Sequence, residues 1–207
     1  MAETQLHNAT RTQNLFGVAD GQAGYFTAKQ AEAAGYSRRM HHYHLSAGNW
    51  ERVSTGLYRL RDYPRGDQDR YAELTLWSRD VQDRPQAVLG FETALRLHHL
   101  SDLDPAEIHL VVPPTFRKAA PAGVVLHRAE LTARDTQDRG SHRVTTPLRT
   151  LTDALNEGRL SPEHLQTAVQ DALGLGLVRK VKLKDALSAL LLPPQRQFDL
   201  LQMLERS

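Results

Sequence analysis

The stretch from Tyr25 to Leu60, YFTAKQAEAAGYSRRMHHYHLSAGNWERVSTGLYRL, reads as a helix, a tight turn, a second helix and a two-stranded hairpin. Thr27 and Gln30 stand at capping-box spacing, where hydroxyl and side-chain amide satisfy two orphan backbone donors at a helix start. Ala28, Ala31, Ala33 and Ala34 favour helix, and Gly35 supplies the left-handed residue that ends it. Ser37 stands in position to cap the next helix after a very short link, the kind used by helix-turn-helix units. Gly48 stops that helix. Trp50, Val53, Leu57, Tyr58 and Leu60 then form two strand arms around the turn Ser54-Thr55-Gly56. A hairpin directly behind a second helix of this kind is a wing, so the segment predicts a winged helix-turn-helix.

On a helical wheel of about 100° per residue, Arg38, Arg39, His42, Tyr43 and Ser46 fall within an arc of roughly 140°. Met40, His41, His44, Leu45 and Ala47 occupy the opposite side, so one face packs inward and the other offers groups that bond phosphates or base edges. Between Tyr36 and Arg65 six arginines (38, 39, 52, 59, 61 and 65) face only Glu51 and Asp62, a net of +4 in a chain whose total is +2. Phosphate neutralisation is the main source of DNA affinity, and the excess sits where a winged helix meets duplex DNA.

The rest of the chain sets bounds. Its 207 residues suffice for one large or two modest domains, and 40% hydrophobic with 24% charged residues is ordinary for a soluble protein. The first twenty residues carry Glu3, His7, Arg11 and Asp20 and no apolar targeting region. The longest wholly apolar run, Ala189 to Leu192, is far too short to span a bilayer. With no cysteine, disulfides and thiolate metal sites are excluded, and a cytoplasmic location is expected. The pI near 9.0 agrees with a nucleic-acid partner.

Leu6 to Ala19 predicts a first helix with Leu15, Phe16 and Val18 in the core. After the wing, Asp62-Tyr63-Pro64-Arg65-Gly66 is a breaker cluster, followed by a helix over Asp67 to Asp80 that buries Tyr71, Leu74, Trp77 and Leu76. From Ala87 onward the pattern becomes alpha+beta. It comprises a helix over Glu92 to Leu100, strands over Glu107 to Val112, Gly123 to His127 and Arg143 to Thr145, and helices opened by Thr146-Pro147 and Ser161-Pro162. Val181 to Leu192 and Gln195 to Glu205 add two more. The expected organisation is α+β: a winged helix-turn-helix over 1–66, a connecting helix over 67–84, and an alpha+beta domain over 85–207 with a small sheet and a helical tail.

These residues resemble a known family. GYFTAKQAEAAGYSRRMHHYHLSAGNWERVSTGLYRL is similar to the N-terminal winged-helix domain of the AbiEi-like antitoxins of type IV toxin–antitoxin systems. FETALRLHHLSDLDP, IHLVVPP, GVVLHRAEL and HRVTTPLRTLTDAL extend the resemblance over roughly residues 10 to 185. It implies a DNA-binding repressor of its own operon, whose C-terminal domain counters a separately encoded, nucleotidyltransferase-like toxin without forming a stable complex with it. Related proteins attach a restriction-endonuclease-like domain; this chain is too short for one, and Val181 to Ser207 lacks the spaced Asp and Glu-Xaa-Lys of metal-dependent cleavage.

Other constellations carry less. Adjacent histidines on a helix point about 100° apart, so His41, His42 and His44 do not converge on one ion, and no metal site is expected. Partial protonation of these histidines would strengthen DNA binding at lower pH. Asp102 and Asp104 read as loop and cap residues; Glu107 lies near His109 and Asp135 near His127, but no nucleophile elbow, P-loop or dinucleotide fingerprint is present. The reading is therefore a repressor without enzymatic activity or cofactor, bound to double-stranded DNA and not to a membrane. Ser37, Arg38, Arg39, His42, Tyr43 and Ser46 are expected to read the major groove or its flanking phosphates. Thr27 and Lys29, at the start of the first of the two helices, are expected to hold the backbone, as are Arg52, Arg59 and Arg61 from the wing with Thr55 at its tip. A ligand-responsive regulator without a toxin partner, and a nucleic-acid enzyme that uses the winged helix for targeting, remain open.

Overall fold

The computed structural model describes residues 2–102 and 105–206, so Asp104 lies outside the described residues. The chain divides into two compact units, one running through Ala87 together with Arg139–His142, the other comprising Val88–Asp138 and the residues from Arg143 onward.

The first unit runs α1 (Ala2–Asp20), β1 (Tyr25–Thr27), α2 (Ala28–Ala33), α3 (Arg38–Ser46), β2 (Trp50–Ser54), β3 (Leu57–Leu60) and α4 (Asp69–Trp77). The capping box forms as its spacing requires: Gln30 N donates to Thr27 Oγ1 at 3.2 Å, and Thr27 N donates to Gln30 Oε1 at 2.8 Å. Gly35 takes φ +98°, and a Cβ there would lie 2.8 Å from the Arg11 side chain. Ser37 has the extended backbone of an N-cap but makes no capping hydrogen bond, so α3 starts without the cap its sequence offers.

The sheet is antiparallel in the order β1-β3-β2, with a Thr55-Gly56 turn joining β2 to β3. Strand β1 has no signature of its own; its three residues open the segment and pair Tyr25 with Arg59 and Thr27 with Leu57. Side-chain alternation sends the two faces to different partners. Phe26, Trp50 and Tyr58 pack with Leu15, Ala19, Ala31, Ala34 and Tyr36 of the helical layer. Tyr25 and Leu57 pack with Ala72 and Leu76 of α4, so the helix expected to connect two domains instead covers the back of this sheet. Phe16, expected in the core, is 51% exposed, because the buried stripe of α1 runs through Leu15 and Ala19.

Arg59 also points to the α4 side. It is 1% exposed, which overturns the expectation that it reaches DNA from the wing. Its Nη2 donates to the Pro64 carbonyl at 2.8 Å and to Asp69 Oδ2 at 3.1 Å, and the guanidinium lies over the Tyr25 and Tyr63 rings at 5.5 and 5.9 Å. Position 59 shares its face with Tyr25 and Leu57, so strand alternation carries it inside.

The second unit holds a mixed five-stranded sheet in the order β6-β5-β4-β8-β7, formed by β4 (Val88–Leu89), β5 (Ile108–Val112), β6 (Val124–Arg128), β7 (Thr136–Asp138) and β8 (Arg143–Thr145). Helix α5 (Phe91–Leu97) bridges β4 and β5, and α6 (Pro147–Glu157), α7 (Pro162–Gly174), α8 (Lys180–Ser188) and α9 (Pro194–Arg206) form the helical tail. Thr146 and Ser161 cap α6 and α7 with proline in the first turn. Leu95, Leu151, Leu155, Val169, Leu183 and Leu204 belong to one core cluster. The architecture is thus α+β, a winged helix-turn-helix followed by a small sheet with helices. No described helix is long and apolar enough to cross a membrane.

Removing one partner of a buried ion pair strands the other in a poorly solvated place. Arg59→Ala is therefore expected to destabilise the first unit by about 2–4 kcal/mol. Urea denaturation followed by tryptophan fluorescence reads this unit alone, since Trp50 and Trp77 both belong to it. An unchanged midpoint would mean that Arg59 is dispensable to the sheet–α4 contact.

Candidate nucleic-acid interface

Helix α3 divides as its wheel requires. His41 is buried, its Nε2 donating to the Tyr36 carbonyl at 3.0 Å, and its ring packs against Trp50 and Tyr58 with centroids 5.5 and 5.6 Å away. His44 stacks on Trp50 at 4.7 Å and meets Tyr36 edge-on at 5.0 Å. Burial, reinforced by nearby Arg11, pushes His44 below the ordinary histidine value, so its ring stays neutral at pH 7. Of the three clustered histidines, His41 therefore serves the core and His44 its edge. Ser37, Arg38, Arg39, His42, Tyr43 and Ser46 all lie exposed on the remaining face, with Tyr43 at 65%.

The charges on this face are not equally free. Arg38 Nε donates to Glu32 Oε1 of α2 at 2.7 Å, a pairing that a charge count beginning at Tyr36 leaves out. On the hairpin, Glu51 meets Arg65 at 2.9 Å and Arg61 at 4.0 Å. Arg39 and Arg52 make no ion pair among the described residues, and both are exposed. Exposed pairs of this kind are weak and salt-screened, so a phosphate can displace Glu32 or Glu51.

The start of α2 departs further from expectation. Thr27 is buried, with its hydroxyl donating to the Asp83 carboxylate, so it cannot meet a phosphate. Lys29 is exposed, but its Nζ donates to the Val81 carbonyl at 2.5 Å. The segment Asp80–Arg84 thus covers this helix end. Arg79 completes the closure, pairing with Asp83 at 3.1 Å and donating to the Thr55 carbonyl at 3.1 Å, while Ala28 N donates to the Gly56 carbonyl at 2.9 Å. The wing turn is short and tethered, with the Thr55 side of it exposed. Of the residues expected at the interface, Ser37, Arg38, Arg39, His42, Tyr43, Ser46, Arg52, Thr55 and Arg61 are accessible; Thr27 and Arg59 are not.

A second polar cluster, unread in the sequence, lies in the other unit. His109 Nδ1 and His127 Nε2 are 2.9 Å apart, within hydrogen-bond distance, Glu92 Oε2 lies 3.1 Å from His109 Nδ1, and Glu157 Oε1 lies 3.6 Å from His127 Nδ1. Phe91, at φ +51°, stacks on His127 at 3.7 Å. Strands β5 and β6 bring these residues together, a pairing that local pattern does not carry. Asp135, near His127 in sequence, instead caps a short turn by accepting from Thr132 N at 2.7 Å. Among the described residues, no group of three or more His, Asp or Glu is spaced to hold a metal ion.

Residues 15–61 match the model of a family described as transcriptional regulator, AbiEi antitoxin. No curated protein sequence matches the chain. Among solved structures, the RV2827C protein from Mycobacterium tuberculosis is similar over 94% of this chain and 77% of that one, with a TM-score of 0.60 and 17% identity. At that identity the likeness concerns the fold.

The histidine pair gives the second unit a pH dependence of definite sign. Burial first, then the His109 and Arg159 charges, push His127 down to about 4 from 6.5. Below pH 6.5 the unfolded chain takes up a proton that the folded unit refuses, so stability is full above pH 6.5 and falls as pH drops toward 4. The expected loss between pH 7 and pH 5 is about 2 kcal/mol. His127→Gln should flatten that slope when urea midpoints are followed by far-UV circular dichroism. A slope as steep as that of the wild type would assign the acid sensitivity elsewhere.

Proposed function

We propose that this chain is a sequence-specific DNA-binding repressor that lays the exposed face of α3 in the major groove. The observation that carries the reading is the partition of α3. Trp50 fixes His41 in the core and His44 at its edge, which turns Arg38, Arg39, His42, Tyr43 and Ser46 outward together. Arginine grips guanine O6/N7 with two hydrogen bonds or a phosphate by charge, and tyrosine and histidine supply further donors. Arg52 and Arg61 hold flanking phosphates from the hairpin. The match of residues 15–61 to a transcriptional-regulator family supports this reading.

The finer role we propose is autoregulating antitoxin. The winged helix limits transcription of a toxin–antitoxin operon, and the second unit opposes a nucleotidyltransferase-like toxin without a stable complex. The family description of the matched segment supports it.

A footprint on the DNA upstream of the gene tests the first reading. Arg39→Ala should weaken operator binding by about 1–3 kcal/mol and relax base preference at one position. Arg52→Ala should weaken binding to all sequences alike and lower the salt slope by about 1. Wild-type affinity in an Arg38→Ala, Arg39→Ala double variant removes α3 from the interface.

For the second reading, toxin and protein are expressed together from foreign promoters, which uncouples repression from antitoxicity. Relief of growth arrest should survive the double arginine change and require residues after Pro85. Rescue by the winged helix alone, or failure of the full chain, leaves a plain transcription regulator.

A further inference from the structure

A cavity of about 460 Å³ opens on the first unit, lined by Phe16 and Asp20 of α1, by Asn49 and Leu60 at the hairpin base, and by Asp62 and Tyr63 beyond it. Its volume falls in the range of small-molecule sites, roughly 300–1,000 Å³. Two aromatic rings form its apolar walls, Phe16 and Tyr63, tilted at 48° with centroids 6.2 Å apart. Phe16 is an exposed aromatic that the core of this unit does not use.

Tyr63 is held in place. Its hydroxyl donates to Asp20 Oδ1 at 2.9 Å, and its ring lies against Gly24, where a Cβ would come within 2.6 Å of it. The ionisable side chains lining the cavity besides that phenol, Asp20 and Asp62, are both acidic. Asp62 makes no ion pair among the described residues, and the last turn of α1 carries no basic residue, so the carbonyl end of that helix adds potential of the same sign. Of the neighbouring cations, Arg59 pairs with Asp69 while its guanidinium lies over the Tyr63 ring at 5.9 Å, and Arg61 and Arg65 pair with Glu51.

Carboxylates beside the exposed Phe16 ring suit one ligand chemistry, a cation with an apolar body, whose N–H groups meet the carboxylates while its charge lies over that ring. The cavity also touches α3. Asn49 Nδ2 lies 3.1 Å from His44 Nδ1, and Asn49 N donates to the His44 carbonyl at 3.0 Å, so a ligand seated against Asn49 bears on the end of that helix.

We propose that this cavity is an effector site for a small organic ammonium or amidinium compound, read by Phe16, Tyr63, Asp20 and Asp62 and coupled to α3 through Asn49. The effector role rests on the DNA-binding reading above; the ligand site itself does not.

The test titrates the full chain with three probes of one shape and different charge, benzylammonium, benzyl alcohol and benzoate, followed by NMR. Benzylammonium should bind saturably with shifts centred on residues 16, 20, 49, 60, 62 and 63, and more tightly than either control. Phe16→Ala and Asp62→Asn alter exposed side chains and should each weaken it about threefold. Equal binding of benzoate or benzyl alcohol, no saturation by benzylammonium, or wild-type affinity in both variants overturns the site. Operator affinity is then measured with and without saturating benzylammonium and should change about threefold or more. An unchanged affinity in a protein that binds its operator overturns the effector role. A protein that binds no operator sinks the DNA-binding reading and with it that role, while the NMR titration still decides the ligand site.

Discussion

The packing of Trp50 governs the geometry of the first unit. It is the first residue of β2, and its ring touches Phe26 of β1 at 4.8 Å, Tyr36 in the inter-helix link at 5.1 Å and His44 of α3 at 4.7 Å. These contacts join hairpin, link and second helix in one aromatic cluster, where ring pairs add to the stabilisation from burial. They also set the rotation of α3 about its axis. A turn of one residue would carry about 100°, bringing His41 or His44 to the surface and Arg39 or Tyr43 inward. The lowered value of His44 is the electrostatic consequence of the same burial.

Features that were legible in the sequence are those whose cause is local. The Thr27–Gln30 capping box, the Thr146-Pro147 and Ser161-Pro162 helix starts and the two faces of α3 need only neighbours within a turn or two. The misreadings share the opposite property. Counting arginines gives a total charge but not its location, and Arg59 is withdrawn by its place on a strand face opposite α4. Thr27 reads as a phosphate ligand because nothing nearby announces that Asp83, fifty-six residues later, occupies its hydroxyl. Strands β4 and β7, of two and three residues, are too short to show alternation and exist because longer neighbours pair with them.

Both units bury polar groups in pairs. In the first, Arg59 and Asp69 tie the sheet to α4; in the second, His109 and His127 tie β5 to β6 beneath Phe91. Such pairs contribute little net stability over apolar packing but penalise any arrangement that separates them. The proposed DNA-binding surface lies elsewhere, on α3 and the hairpin, where Arg38, Arg39, Arg52 and Arg61 keep exposed side chains and at most salt-screened partners. The packed core thus presents an exposed, positively charged face, which suits backbone contact with a polyanion.

The central claim is that DNA meets the chain through the outward face of α3. Hydrogen exchange of the full protein, with and without a duplex carrying the footprinted upstream sequence, tests it most directly. Slowed exchange is expected in residues 37–47 and the β2–β3 hairpin, with the sheet of the second unit unchanged. Protection confined to residues after Val88, with α3 exchanging as in the free protein, would contradict it.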